Sequence, residues 1–243
     1  MAGSSSTPSA SGTALISGAS GGLGAGVAGR FLSDGWRVVA PSHSRKDVEI
    51  VRERHGEAGA SLEIPQADLM DDASVGAAVE VATASPQAPL RAVVNLVGGF
   101  SAPGRVHETP VEEFESQLRL NLRPTYLLCA ASLPALLESG GAIVCVSTRA
   151  AVRPFAGAAG YIASKAAVLA FVDALAAEYT QDGVRSNAVL PSVIDTPGNR
   201  ASQPDADHSR WVTPAQIADV IAFLCSDRAG PVSGAHVPVY GRA

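Results

Sequence analysis

Cysteine is scarce in this 243-residue chain: Cys129, Cys145 and Cys225 stand far apart, odd in number and with no CxxC pair. Each lies in an apolar stretch, which points to reduced, buried thiols and excludes a disulfide scaffold. The five histidines show no metal-ligand spacing, so no zinc or iron site is expected. No run of Lys or Arg occurs and the net charge is −5, which speaks against nucleic acid as the main partner. Long hydrophobic runs are missing too. The longest apolar helical stretch, Ala166 to Ala177, is broken by Asp173 and falls short of a bilayer, so no membrane partner is expected. The first eleven residues are rich in Ser and lack the basic start and apolar stretch of a signal peptide. They read as a disordered tail, 1–11, ahead of a single domain, 12–243, and the chain reads as cytoplasmic.

What is present is apolar and periodic. Hydrophobic residues make up 47 % and charged ones 17 %, a balance that gives a compact globular chain rather than a disordered one. Strand-length apolar runs fall at Thr13–Ser17, Arg37–Ala40, Leu62–Ile64, Ala92–Val97, Ala142–Val146, Ser186–Leu190 and His236–Val239. Helical patterns separate them at Leu23–Ser33, Lys46–His55, Asp72–Ala84, Val111–Leu137, Tyr161–Thr180 and Pro214–Cys225. Short strands that are apolar on both faces belong to a parallel sheet covered by helices on both sides. Right-handed crossovers then give an α/β fold, one doubly wound, Rossmann-type domain with a seven-stranded parallel sheet. Thr213-Pro214 and Asp71 carry helix-start signals.

Two motifs carry chemistry. Ser17-Gly18-Ala19-Ser20-Gly21-Gly22-Leu23-Gly24 leaves a predicted strand and opens a predicted helix, the context in which bare backbone cradles a pyrophosphate. Tyr161-Ile162-Ala163-Ser164-Lys165 sets a phenol and an ammonium one helical turn apart on one face. An ammonium near a phenol favours phenolate and is expected to pull the Tyr161 pKa down from about 10 toward working pH. A tunable proton donor downstream of a nucleotide cradle points to proton-coupled hydride transfer at a carbonyl or carbinol.

These motifs resemble those of the short-chain dehydrogenase/reductase family, Thr/Ser-Gly-x-x-x-Gly-x-Gly and Tyr-x-x-x-Lys, and the likeness covers nearly the whole chain. The resemblance implies NADP(H) or NAD(H) as cofactor and Asn121, Thr148, Tyr161 and Lys165 as the catalytic set. Asn121 would secure a water that links Lys165 to solvent, Thr148 would polarise the substrate carbonyl, and Lys165 would also hold the nicotinamide ribose. Thr148 stands where the family has serine, with Ser147 as its substitute. Ser147 is expected to point the other way, since side chains alternate along a strand. By the same resemblance the cofactor meets Gly18, Ser20, Gly22, Leu23 and Gly24. Further contacts are implied from Asp68 and Leu69, from Asn95, Val97 and Gly98, and from Pro191, Ile194 and Thr196. Ser192 replaces a usual glycine. The stretch Val189–Trp211, with Val97-Gly98-Gly99-Phe100, is also similar to quinonoid dihydropteridine reductases.

The second predicted strand ends in Ser42-His43-Ser44-Arg45 without an acid, so Ser42, His43 and Arg45 favour the 2′-phosphate of NADP(H) over the bare ribose of NAD(H). His43 and Arg45 as solvated loop residues are the competing interpretation. The substrate, a small molecule, is expected among 99–105, 149–156 and 196–211, with 196–212 a lid. Arg149 and Arg153 face either an anionic group or water. A reductase of a C=N or quinonoid substrate and a non-catalytic dinucleotide-binding protein are the alternatives to a carbonyl reductase. The long helical pattern over 111–137, with Leu127, Leu128, Leu133 and Leu136, and the alanine face of 161–180 predict a homo-oligomer, tetramer rather than dimer.

Overall fold

The computed structural model describes residues 12–55 and 61–242, Arg45 by its backbone alone. The expected tail, 1–11, lies outside the described residues. Seven strands, β1 (Thr13–Ser17), β2 (Arg37–Val39), β3 (Leu62–Glu63), β4 (Leu90–Asn95), β5 (Ala142–Val146), β6 (Arg185–Pro191) and β7 (His236–Val239), form one parallel sheet in the order β3-β2-β1-β4-β5-β6-β7. The helices are α1 (Gly22–Ser33), α2 (Arg45–His55), α3 (Asp72–Thr83), α4 (Val111–Ser139), α5 (Ala159–Tyr179), α6 (Pro197–Ser202) and α7 (Pro214–Cys225).

Alternation along each strand splits the core in two. Ala14 and Ile16 of β1 join Val94 of β4 and Val144 of β5 under Val27 and Phe31 of α1 and Ile217 and Ile221 of α7. Leu15, Val93 and Ile143 point the other way, under α3, α4 and α5. All three cysteines are buried and free, as their apolar settings predicted. The Thr213 hydroxyl accepts from Gln216 N and Gln216 Oε1 accepts from Thr213 N, a capping box that starts α7. Asp71 caps α3 through Ser74 N at 2.8 Å.

Three expectations change. The fourth strand begins and ends two residues earlier than its apolar run, because Leu96 and Val97 leave the sheet at the switch point between β1 and β4. The stretch after β6 contains the short helix α6, which the polar composition of that stretch hid. Thr196 caps α6 through Asn199 N, Arg200 pairs with Asp195 at 2.5 and 2.9 Å, and Asp195 N donates to Val212 O. Finally, α5 runs on into a 3-10 turn to Asp182, reaching the length and apolarity that crossing a membrane requires. Its Val168, Leu169, Val172 and Leu175 are packed in the core against the sheet, which makes it a core helix.

Candidate active site

A cleft of about 850 Å³ opens where the strand order reverses, at the carboxyl ends of β1, β4, β5 and β6. One end is backbone. Gly18 takes φ +73°, a left-handed conformation that lets the chain leave β1 sharply toward α1. The cap of α1, Gly21, offers no side-chain acceptor, and the first turn of the helix carries no acid. Its free N–H groups and dipole therefore face the cleft uncompensated. A side chain at Gly22 would bring a Cβ to 2.7 Å from Thr196 Cγ2, so the cradle keeps its width only with glycine there. The lining carries Arg149, Arg153 and Lys165 and no carboxylate. An anionic dinucleotide fits this wall.

The other end is built from side chains. Thr148 ends the loop after β5, and its Oγ1 accepts from Ala150 N at 3.3 Å, which starts the turn Arg149–Ala151. Its hydroxyl lies close enough to the Tyr161 phenol to favour the phenolate. Ser147 is buried and spends its hydroxyl on the Lys165 carbonyl at 2.8 Å, so Thr148 is the residue beside the tyrosine, as strand alternation predicted. Tyr161 sits in the first turn of α5, its ring edge-on to Phe100 at 5.0 Å between centroids. Phe100 in turn meets Phe155.

The ionisation of this pair departs from expectation. Burial holds the Tyr161 phenol above its ordinary pKa, with the nearby Thr148 hydroxyl opposing it. Lys165 does not pull it down. The Lys165 ammonium, 6 % exposed, turns to the end of β5 and donates to Val146 O at 3.1 Å. Burial drives Lys165 down to about 8, with the Cys145 thiol raising it slightly. An ammonium with three donors and this one protein acceptor among the described residues suits a further polyhydroxylated partner, such as a ribose.

Asn121 commits its side chain to backbone. Its side chain is fully buried; Oδ1 accepts from Gly99 N at 3.0 Å, and Nδ2 donates to Gly99 O and Gln117 O. All of its amide is committed to pinning the loop after β4 to α4, an arrangement no motif announces because the partner is backbone. A Cβ at Gly98 would meet Asn121 Oδ1 at 2.5 Å and Lys165 Nζ at 2.8 Å, so this loop lies directly on the Asn121–Lys165 pair.

The expected cofactor contacts divide. Gly18, Gly22, Leu23, Gly24, Gly98, Pro191 and Ile194 line the cleft together with Thr148, Tyr161 and Lys165. Asn95 does not: its side chain is 1 % exposed, accepting from Ser17 Oγ and donating to Thr125 Oγ1, a clip joining β1, β4 and α4. Val97 and Leu69 pack on the core, and Leu96 takes the place at the cleft wall that Val97 was expected to fill. Thr196 borders the cradle through its methyl group against Gly22. Ser42 is 5 % exposed and bridges to Gln66, His43 is exposed, and the Asp68 carboxylate accepts from Met70 N. The Arg45 side chain lies outside the described residues. Ser20 presents its carbonyl to Arg54 of α2 at 2.7 Å, placing a guanidinium at the glycine turn that no sequence motif announced.

The chain matches, over residues 18–241, the family model described as enoyl-(acyl carrier protein) reductase. A 2-(R)-hydroxypropyl-CoM dehydrogenase of Xanthobacter autotrophicus is 36 % identical over 242 residues, covering 94 % of this chain and 96 % of that one. D-threitol dehydrogenase of Mycolicibacterium smegmatis is 31 % identical over 239 residues, covering 94 % and 91 %. Among solved structures, 3-ketoacyl-(acyl-carrier-protein) reductase from Brucella melitensis, complexed with NADH, superposes with a TM-score of 0.84 at 31 % identity, covering 96 % of this chain and 99 % of that one. Likeness of this extent, running from the glycine turn to the last strand and centred on a tyrosine and lysine in one cleft, has one meaning: the chain belongs to the short-chain dehydrogenase/reductase family, oxidoreductases that use a nicotinamide dinucleotide on small organic substrates.

Proposed function

We propose that this enzyme interconverts a carbonyl and a carbinol, with Tyr161 moving the proton at the substrate oxygen. The observation that carries this is that Thr148 and Tyr161 line one end of the cleft together, two neighbouring hydroxyls able to converge on a carbonyl oxygen. The bound nicotinamide supplies or accepts the hydride. Lys165, anchored on Val146 O, offers its remaining donors to the cofactor's ribose. The Phe100–Phe155 pair shields the phenol from water on one side. NADP(H) is the favoured cofactor because β2 is followed by no acid before Asp47 and Arg54 adds positive charge at the glycine turn.

Exposed Leu120, Tyr126 and Leu137 on α4, beside Ala170, Ala174 and Ala177 on α5, support a two-fold homo-oligomer. The leucines first singled out do not contribute: Leu128, Leu133 and Leu136 are buried in the core and Leu127 half-buried against it. Light scattering at micromolar concentration tests the assembly, a monomer mass refuting it. The segment 196–212 is proposed to close over the substrate, since Asn199 and Gln203 already line the cleft.

The deciding experiment mixes the protein with NADPH or NADH and ketones, quinones or quinonoid pterins while following cofactor absorbance. Oxidation of cofactor with ketones, faster with NADPH, is expected. Turnover of the pterins alone would move the activity to a C=N bond. Cofactor binding with no turnover in any class would leave a dinucleotide-binding protein without chemistry.

A further inference from the structure

Tyr161 is a wall of a second, smaller cavity of about 340 Å³, formed between the first turns of α4 and α5 and the loop after β4. Its lining is mostly apolar, with Val106, Phe114, Ala159 and Gly160 contributing. One polar side chain in it is deeply buried. Gln117, on α4 one turn before Asn121, is 7 % exposed, and its Oε1 has no hydrogen-bond partner among the described residues. The backbone at this point is fixed, because Gln117 O accepts from Asn121 Nδ2 at 3.0 Å. The amide is therefore held at the cavity without a partner of its own.

A buried amide left unpaired is costly, and native proteins keep such groups where something else satisfies them. A carboxamide carries a donor and an acceptor, so its complement is a group that does both, a hydroxyl or another amide. Glu113, exposed at the cavity edge, disfavours a carboxylate or phosphate there. The volume lies at the low end of small-molecule sites, roughly 300–1,000 Å³. That is room for one arm of a small molecule whose reacting carbon stays at Tyr161.

We propose that this cavity receives an uncharged, hydroxyl- or amide-bearing arm of the substrate, recognised by Gln117. The proposal rests on Tyr161 being the group that meets the reacting oxygen. It makes Gln117 a specificity-determining residue for the carbonyl chemistry proposed above. Phe100, edge-on to Tyr161, stands beside Ser101 of the cavity wall and lines the main cleft, so the arm would pass close to this ring.

The test uses methyl ketones that end in methyl or in hydroxyl at equal chain length, from butanone and hydroxyacetone upward, with the NADPH-loaded protein. The wild type is expected to favour the hydroxyl-ended member at one chain length by about tenfold in kcat/KM. In Gln117→Leu that preference is expected to vanish through a higher KM for the hydroxyl-ended ketone. The same variant, freed of an unpaired buried amide, should melt at a higher temperature without ligand. Val106→Trp, on an exposed loop, crowds the cavity without entering the core and should raise KM for the longer ketones of both kinds. It decides the matter if Gln117→Leu does not fold. Equal treatment of the two ketone series by the wild type, or an unchanged preference in Gln117→Leu, would overturn the proposal, as would indifference of KM to Val106→Trp. Ketone-induced rises in melting temperature separate the two claims. If no ketone is reduced, yet hydroxyl-ended ketones stabilise the wild type and not Gln117→Leu, the cavity stands and the role given to Tyr161 falls.

Discussion

The two ends of the cleft are made of different material. The end near α1 is backbone: Gly18 turning at positive φ, an uncapped helix start and a Thr196 methyl set against Gly22. The end near α5 is side chains from three elements, Thr148 after β5, Tyr161 and Lys165 on α5, and Phe100 after β4. Backbone donors answer to any pyrophosphate, whatever the rest of the molecule does. Side-chain chemistry depends on which way each group turns and how dry it is. Binding and turnover are therefore expected to separate cleanly under mutation.

The largest effects should come from breaking each end alone. Tyr161→Phe is expected to lower kcat by about 10²–10⁴-fold while leaving the dissociation constant of NADPH nearly unchanged. Gly22→Val should do the opposite, its branched side chain striking Thr196 and weakening NADPH binding. Steady-state kinetics beside fluorescence titration of the cofactor give both numbers. Loss of binding in Tyr161→Phe would erase the distinction between the ends.

Thr148→Ala sharpens the comparison within the reacting end. It removes a donor to the developing charge, at a cost of roughly 10²–10³-fold in kcat. It also removes the neighbouring hydroxyl that opposes the effect of burial on Tyr161, so the phenol pKa should rise further. The pH profile for carbinol oxidation, which needs phenolate, should move to higher pH, and Thr148→Ser should restore both. A profile that stays in place would show that the hydroxyl serves substrate alone.

The smallest effect is on stability and runs against function. Lys165 is held at about 8, below its ordinary 10.5, because it is buried. Between those two values the unfolded chain holds more protons than the native one, so stability rises with pH across that window. Below it the native state carries the full cost of a buried ammonium, on the order of 3 kcal/mol. Lys165→Met is expected to raise the melting temperature at neutral pH, with the gain shrinking toward pH 10.5, and to be inactive. Equal melting curves at neutral pH would mean that the Val146 carbonyl already offsets the burial.

The same division runs through what could be read in advance. Alternation of short apolar runs with helical periods determined the doubly wound sheet, because a strand apolar on both faces has no other place to be. The glycine turn and the Tyr161–Lys165 spacing were legible for a related reason: backbone shape and helix geometry are local, and local rules act over a few residues. Where side chains turn is a different matter. Asn95 looked like a cofactor contact and proved to be a clip between β1 and α4, and Asn121 spends its amide on the backbone of Gly99. Leu128, Leu133 and Leu136 looked available for an interface and are packed on the sheet, because that side of α4 faces inward. The Tyr161 phenol rises in pKa instead of falling, since dryness outweighs a lysine that turns to Val146. Gln117 carries no motif at all; only the packing of α4 against α5 leaves its amide oxygen buried and unpaired beside Tyr161. Sequence by itself determined the sheet, the glycine turn and the Tyr161–Lys165 spacing, whose rules are local. The tertiary structure decided burial, and with it charge state, since solvent is excluded by residues distant in the chain.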